Sequence, residues 1–263
     1  MAVDALMHGG ARPGPGPIPG SIVAGDPARA VASAALRDGL VIVADAASQF
    51  APAAIGSHPN GVLIDLAAGR GTKTLLLQTH AAAAGAPADI YAVDIHPFKT
   101  AVLEDRMRSL EIPGVTALTG DSTRPETILA LPPAGSADAV LVDAPCSGLG
   151  TLRRRPEMRW RVSPADIGPL AALGTELLRA AASLVRPGGV VVYSTCTVTR
   201  AENADVVEGF LGSEEGSGFR LRRLDAVVPE QWRDFVTVEG WFQSLPATDG
   251  PDGHFVATLE RVR

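Results

Sequence analysis

The amino-acid sequence predicts an α/β fold, doubly wound on a mostly parallel sheet, and three observations carry that prediction. Five unbroken apolar runs of strand length, at residues 62–66, 90–93, 115–118, 139–142 and 190–193, read as strands buried on both faces, as a parallel sheet requires. Helical patterns fill the intervals at 73–84, 98–110, near Glu126 and at 164–184, so strand and helix alternate. The residues that follow the runs are small, acidic or thiol-bearing, and the carboxyl ends of the strands are where such sheets hold their ligands.

Before the first strand, residues 8–20 read HGGARPGPGPIPG, whose Pro/Gly alternation predicts a flexible arm over 1–20 with neither helix nor ladder. Residues 26–40 carry Ala, Val and Leu at helical spacing, and a short apolar stretch at 40–43 leads into a helix over 44–55. Residues 21–60 are therefore expected to form a helical lead-in packed on a main domain over 61–263. Beyond the fifth strand, 198–211 predicts another helix with Thr199 and Glu202 as its capping box, and 255–259 predicts a closing strand. The sequence shows no internal repeat.

A chain of 263 residues with 46% apolar content can bury a sizeable core in one large domain with an appendage. Its 23 basic and 29 acidic residues leave a net charge of −6, which argues against a polyanion binder acting through charge alone; any nucleic-acid contact must be local. Two cysteines cannot build a disulfide framework, and no partners at metal-ligand spacing accompany them. No metal is expected, and a reducing, cytoplasmic setting fits. No apolar run approaches a membrane span and no secretory leader opens the sequence, which disfavours membranes and secretion; a monomer is expected.

The first run ends in Asp65-Leu66-Ala67-Ala68-Gly69-Arg70-Gly71-Thr72-Lys73-Thr74, a small-residue loop that lets a ligand reach the backbone at the mouth of a helix. A dinucleotide fingerprint would need glycine or alanine at Thr74, and a P-loop needs Gly-Lys where Thr72-Lys73 stands, so both fit poorly. The second run ends at Asp94, whose carboxylate can accept from both hydroxyls of a ribose, and Asp121 follows the third in Gly120-Asp121-Ser122. Any one such acid could be a helix cap or a solvated loop residue, but three in register favour a nucleoside cofactor. The fourth run leads into Asp143-Ala144-Pro145-Cys146-Ser147-Gly148-Leu149-Gly150 and the fifth into Ser194-Thr195-Cys196-Thr197. A lone cysteine after a strand is more often a small buried hydrophobe, yet here the two cysteines of the chain end adjacent runs, which favours chemistry. Arg153, Arg154, Arg155, Arg159 and Arg161, interleaved with Trp160, follow the Cys146 loop and suit phosphate contact and base stacking better than a merely solvated loop.

These residues resemble the Sun/Fmu (RsmB-like) RNA cytosine-5 methyltransferases, over roughly residues 40–261. The most specific matches are Asp143 to Gly148 with Gly150 and the arginine-rich stretch to Trp160, then Tyr193-Ser194-Thr195-Cys196 with Glu202-Asn203 downstream. The resemblance implies a Rossmann-like class I methyltransferase domain over 61–263 that uses S-adenosyl-L-methionine and acts on RNA, bacterial 16S ribosomal RNA being the usual implication. It implies Cys196 as the attacking thiol and Cys146 as the group that assists product release. Asp143 would steady the base and also line the cofactor site, with Ala67, Ala68, Gly69, Arg70, Gly71, Thr72, Lys73, Asp94 and Asp121 holding the cofactor.

Several positions depart from the family pattern. Its cofactor loop usually reads Asp-Leu-Cys-Ala-Ala-Pro-Gly-Gly-Lys-Thr, so Ala67, Gly69, Arg70 and Thr72 are changed while Asp65, Gly71 and Lys73 are kept. Gly174 and Ala44 stand where glutamines are common, and His254 replaces an aromatic in Asp252-Gly253-His254-Phe255. The amino-terminal RNA-binding module typical of the family is replaced by the Pro/Gly arm, as expected of a catalytic domain taken from a longer chain. Two other classes compete: a catalytically silent RNA-binding module, which would need neither cysteine, and a nicotinamide dehydrogenase, which would need the missing third glycine.

Overall fold

The computed structural model describes residues 1–246 and 250–263 and divides into two compact units, Met1–Ala46 and Ala47–Arg263. The first unit is more ordered than its Pro/Gly content predicts. It begins with α1 (Ala2–His8), then β1 (Pro13–Pro15) paired antiparallel with β2 (Ile22–Ala24). The prolines do not block this ladder because glycine amides bracket it, Gly16 N donating to Ser21 O at 2.9 Å and Gly25 N to Arg12 O at 3.0 Å. The helix expected over 26–40 is two short ones, α2 (Pro27–Val31) and α3 (Ala34–Arg37). Asp26 caps the first through Arg29 N, and Ser33 interrupts the run by capping the second through Leu36 N. Leu6, Ala11 and Ala35 form this unit's small core.

The second unit takes in the following helix, α4 (Ala46–Ile55), from Ala47, so the boundary lies earlier than the expected residue 60. Then come β3 (Val62–Leu66), α5 (Thr72–Ala83), β4 (Asp89–Asp94), α6 (Pro97–Ser109), β5 (Val115–Thr119), β6 (Ala137–Asp143), α7 (Met158–Arg161), α8 (Pro164–Leu184) and β7 (Val185–Thr195). All five expected parallel strands form. Strand β7 starts five residues early because Arg186 to Gly189 form an irregular turn within it, and the register jumps from Ala137↔Val185 to Ala139↔Val190. After β7 come α9 (Ala204–Leu211), β8 (Phe219–Arg222), β9 (Phe242–Ser244) and β10 (His254–Arg261).

The sheet order is β5-β4-β3-β6-β7-β10-β8, with β9 also paired to β10. Strands β3 to β7 run parallel, while β10 lies antiparallel to β7, β8 and β9. The order reverses direction between β3 and β6, which opens a crevice at their carboxyl ends. Val140, Leu141 and Val142 of β6 are fully buried, the two-sided cover that an unbroken apolar run implies. Helix α9 is shorter than expected because the residues between Val198 and Asn203 are spent elsewhere. Thr199 Oγ1 does donate to Glu202, but the carboxylate is a buried junction rather than a helix cap.

Candidate active site

Each loop at the crevice begins where a parallel strand ends, so the sheet register sets which side chains meet. Beyond β3, Ala67, Gly69 and Gly71 have φ of 63°, 61° and 79°, a tight turn that delivers the chain to the N-terminus of α5. Ala68 N donates to Val93 O at 2.8 Å and Gly69 N to Asp94 Oδ2 at 3.1 Å, tying this loop to β4. A Cβ on Gly71 would lie 2.7 Å from Leu103 Cγ, whereas the space over Gly69 is open. Arg70 is exposed; its carbonyl and Thr72 Oγ1 both accept from Arg106. Thr74, the residue that spoils a dinucleotide fingerprint, is buried and donates to Asp65 Oδ2 at 2.6 Å.

Asp94 is more heavily engaged than its sequence position suggests. It accepts from Gly69 N, from His96 N and Nδ1 at 2.9 Å each, and from Lys99 Nζ at 3.3 Å. Burial alone would raise its pKa, but these donors hold it below the ordinary carboxylate value. Asp121 folds back onto Thr123, accepting from its amide and hydroxyl, and these bonds lower its pKa. Asp65 is less well compensated: it is fully buried, Oδ1 has no partner among the described residues, and desolvation outweighs the Thr74 hydrogen bond and pushes its pKa up to about 7.

The other side of the crevice brings the expected chemistry together. Cys146 Sγ lies 3.4 Å from Cys196 Sγ. Lys73, counted in the sequence as a cofactor-loop residue, reaches across to Asp143 with Nζ 2.6 Å from Oδ2. Asp143 and Ser194 pair in the sheet, and Ser194 Oγ lies 3.5 Å from Asp143 Oδ1. Burial works against the Lys73 ammonium, but the Asp143 charge and hydrogen bond more than compensate, so its pKa is raised. The thiols divide. The hydrogen bond shared with Cys146 lowers the Cys196 pKa, helped by Lys73 against burial and the Asp143 charge. Cys146 is pushed well above the usual thiol value by that shared bond, by burial and by the charge on Cys196.

Behind the sulfurs, Glu202 is the buried junction that gathers both loops. It accepts from Ser147 N at 2.6 Å, from Ser147 Oγ at 2.7 Å, and from Thr197 and Thr199. Tyr193 OH donates to Glu202 O at 2.7 Å, and a Cβ on Gly174 would stand 2.6 Å from that hydroxyl, so the absent glutamine leaves room for it. Gly150 N donates to Cys196 O, and Gly253 N donates to Gly150 O. A Cβ on Gly150 would come 2.0 Å from Gly253 O. The sequence marks Glu202 as a helix cap and as part of the family resemblance, but the spacing of Ser147 from Glu202 carries no local signal of this junction.

The arginine stretch splits in two. Arg153 and Arg154 turn onto Asp252, while Arg155 pairs with Glu157 at 3.3 Å. Arg159 and Arg161 are exposed on α7 beside Trp160, which is 85% exposed. Among the described residues no group of His, Cys, Asp and Glu could hold a metal ion, and no helix is long and apolar enough to cross a membrane.

A parallel sheet that reverses at β3 and β6, continues into antiparallel β10 and carries its functional groups on the crevice loops has the Rossmann-like class I methyltransferase fold. The crystal structure of PH0851 is similar to it at 32% identity and a TM-score of 0.77, over 88% of this chain and 49% of that one. The model of the 16S rRNA methyltransferase RsmB/F family matches residues 53–260, and the chain belongs to that family. It is 36% identical to a probable ribosomal RNA small subunit methyltransferase B of Synechocystis, over 86% of this chain and 48% of the relative. It is 34% identical to the ribosomal RNA small subunit methyltransferase B of Thermus thermophilus, over 94% of this chain and 56% of that protein. The chain thus spans about half the length of these relatives. The family depends on S-adenosylmethionine, the cofactor that the resemblance implied.

Proposed function

We propose that this chain transfers a methyl group from S-adenosylmethionine to carbon-5 of a cytosine in RNA, with small-subunit ribosomal RNA as substrate, through a covalent bond from Cys196. The observation that carries this reading is the thiol pair: Cys146 and Cys196, each just beyond a parallel strand, place their sulfurs 3.4 Å apart beside the Lys73–Asp143 ion pair. A silent RNA-binding module has no use for that arrangement.

The residues around β3 to β5 fit a nucleoside cofactor. The left-handed turn leaves open space over Gly69 at the mouth of α5, and Ser122 Oγ beside Asp121 is buried with no partner among the described residues. Ala67 to Lys73 and Asp121 would hold the cofactor, and Asp94 would take the ribose once the His96 ring and Lys99 swing away. Bound there, the cofactor supplies an electrophilic methyl group.

Carbon-5 of cytosine is a poor nucleophile, so a thiolate must first add at carbon-6 and give carbon-5 enamine character. Cys196 forms that bond, and Asp143 with Lys73 steadies the base as charge develops on it. After methylation the carbon-5 proton passes to water, its electron pair re-forms the 5,6 double bond, the sulfur–carbon bond breaks with Cys196 leaving as thiolate, and Cys146 assists release. The base must be out of its stack, which single strands and loops make cheapest. Arg155, Arg159, Trp160 and Arg161 suit the flanking RNA.

Two measurements test the reading. Labelled methyl from the cofactor should appear in ribosomal RNA only with the chain present, and bisulfite sequencing should locate it at a cytosine. Label on another base or another atom would refute it.

A further inference from the structure

Asp252 is only 1% exposed, yet it carries a carboxylate at the mouth of β10. A buried charge is tolerated only when paired, and two arginines from the Cys146 loop pair with it. Arg154 reaches it with Nε at 2.7 Å and also with Nη2, a forked contact, and Arg153 Nη2 lies at 3.5 Å. The next residue, Gly253, donates its amide to Gly150 O at 2.9 Å, and Gly150 donates to Cys196 O at 3.0 Å. Ser244 Oγ donates to Asp252 O and accepts from His254 N, which anchors the same segment to β9. The contacts close a ring. It runs from the Cys146 loop through Arg154 and Asp252 to Gly253, and through Gly150 to the carbonyl of Cys196.

We propose that the Arg154–Asp252 pair is a positioning device for the two thiols, holding the Cys146 and Cys196 loops so that their sulfurs stay within hydrogen-bonding distance. Arg153 supports it. Neither arginine is then a primary RNA contact, and phosphate recognition falls to Arg155, Arg159 and Arg161. The pair touches no substrate; it acts through the Gly150 bridge. The inference rests on the reading of Cys196 as nucleophile for its kinetic arm only.

The test uses the full chain and reads the rate of Cys196 alkylation by iodoacetamide against pH, by peptide mass, in the parent, Asp252→Asn and Arg154→Gln. Both variants should move the reactive midpoint upward by about one pH unit. They should lower kcat about tenfold while the KM for RNA stays within about twofold. Arg154→Lys keeps the charge without the fork and should fall between. Thermal melting checks folding; should Asp252→Asn fail to fold, Arg154→Gln at its half-exposed position carries the test. An unchanged midpoint would overturn the proposal, as would a loss confined to the KM and salt dependence of RNA binding. If the parent methylates no RNA, the functional reading fails, and the alkylation midpoint still decides for or against the clamp.

Discussion

The two sides of the crevice are built on opposite plans. At the ends of β3 and β4, Asp94 is held by backbone amides and by His96 and Lys99, whose side chains are 52% and 31% exposed and can swing away. At the ends of β6 and β7, Glu202, Ser147, Thr197 and Asn203 are all buried, and backbone meets backbone at Gly150 and Gly253. On the proposed reading, the side that takes up and releases the cofactor is closed by displaceable groups, and the side that holds the two sulfurs is locked by a buried polar network.

The sharpest way to break this contrast is at the sulfurs themselves. Cys196→Ala should lower methyl transfer about a thousandfold or more and abolish any covalent RNA adduct. Cys146→Ala should do the opposite with the adduct, accumulating a cofactor-dependent band that survives denaturing electrophoresis. An adduct in Cys196→Ala and none in Cys146→Ala would reverse the roles. Next comes Lys73→Met, which strips Asp143 and Cys196 of their positive neighbour. A fall of about a hundredfold in kcat is expected. The rate of the parent should rise with pH until Cys196 is thiolate, and that limb should shift to higher pH in the variant, as a pH–rate profile would show.

Asp65 tests the floor of the cofactor side through stability. Its folded pKa of about 7 stands above the ordinary 3.8, so the native state binds the extra proton between those values. Stability should therefore fall as pH rises from about 4 to 7 and level off above, by on the order of 4 kcal/mol from this residue. In Asp65→Asn, denaturant melts across that window should lose this slope. A smaller effect is expected from Asp94→Ala, about 1.5–3 kcal/mol in cofactor affinity by calorimetry, for hydrogen bonds to a charged group. Unchanged affinity would remove Asp94 from the site. The smallest effect is expected at the rim: neutralising Arg155, Arg159 and Arg161 should flatten the salt dependence of RNA binding and leave cofactor affinity alone.

The parallel strands were legible because burial on both faces writes an unbroken apolar run into the chain. Edge strands carry no such mark: β8 reads FRLR, with alternate charges facing out, and β9 is three residues long. The first unit departs from expectation because Pro and Gly count against a ladder, although glycine amides can bracket one. Cys146, Cys196 and Asp143 stood out because each ends a run. The reach of Lys73 to Asp143, and of Arg154 to Asp252, joins residues far apart in the chain, which no local pattern predicts. Residues 247–249, within the expected main domain, lie outside the described residues.

The closeness of Gly150 to Gly253 O has a consequence for ancestry as well as geometry. A side chain at Gly150 cannot be accommodated by a rotamer change, because the obstacle is main chain on both sides, Gly253 and Cys196. A Cβ at Gly253 would in turn meet Gly150 Cα at 2.9 Å. The two positions are therefore expected to drift together or not at all. A descendant that acquired a side chain at one of them would have to re-route Asp252 and Gly253, and with them the loop that carries Cys146.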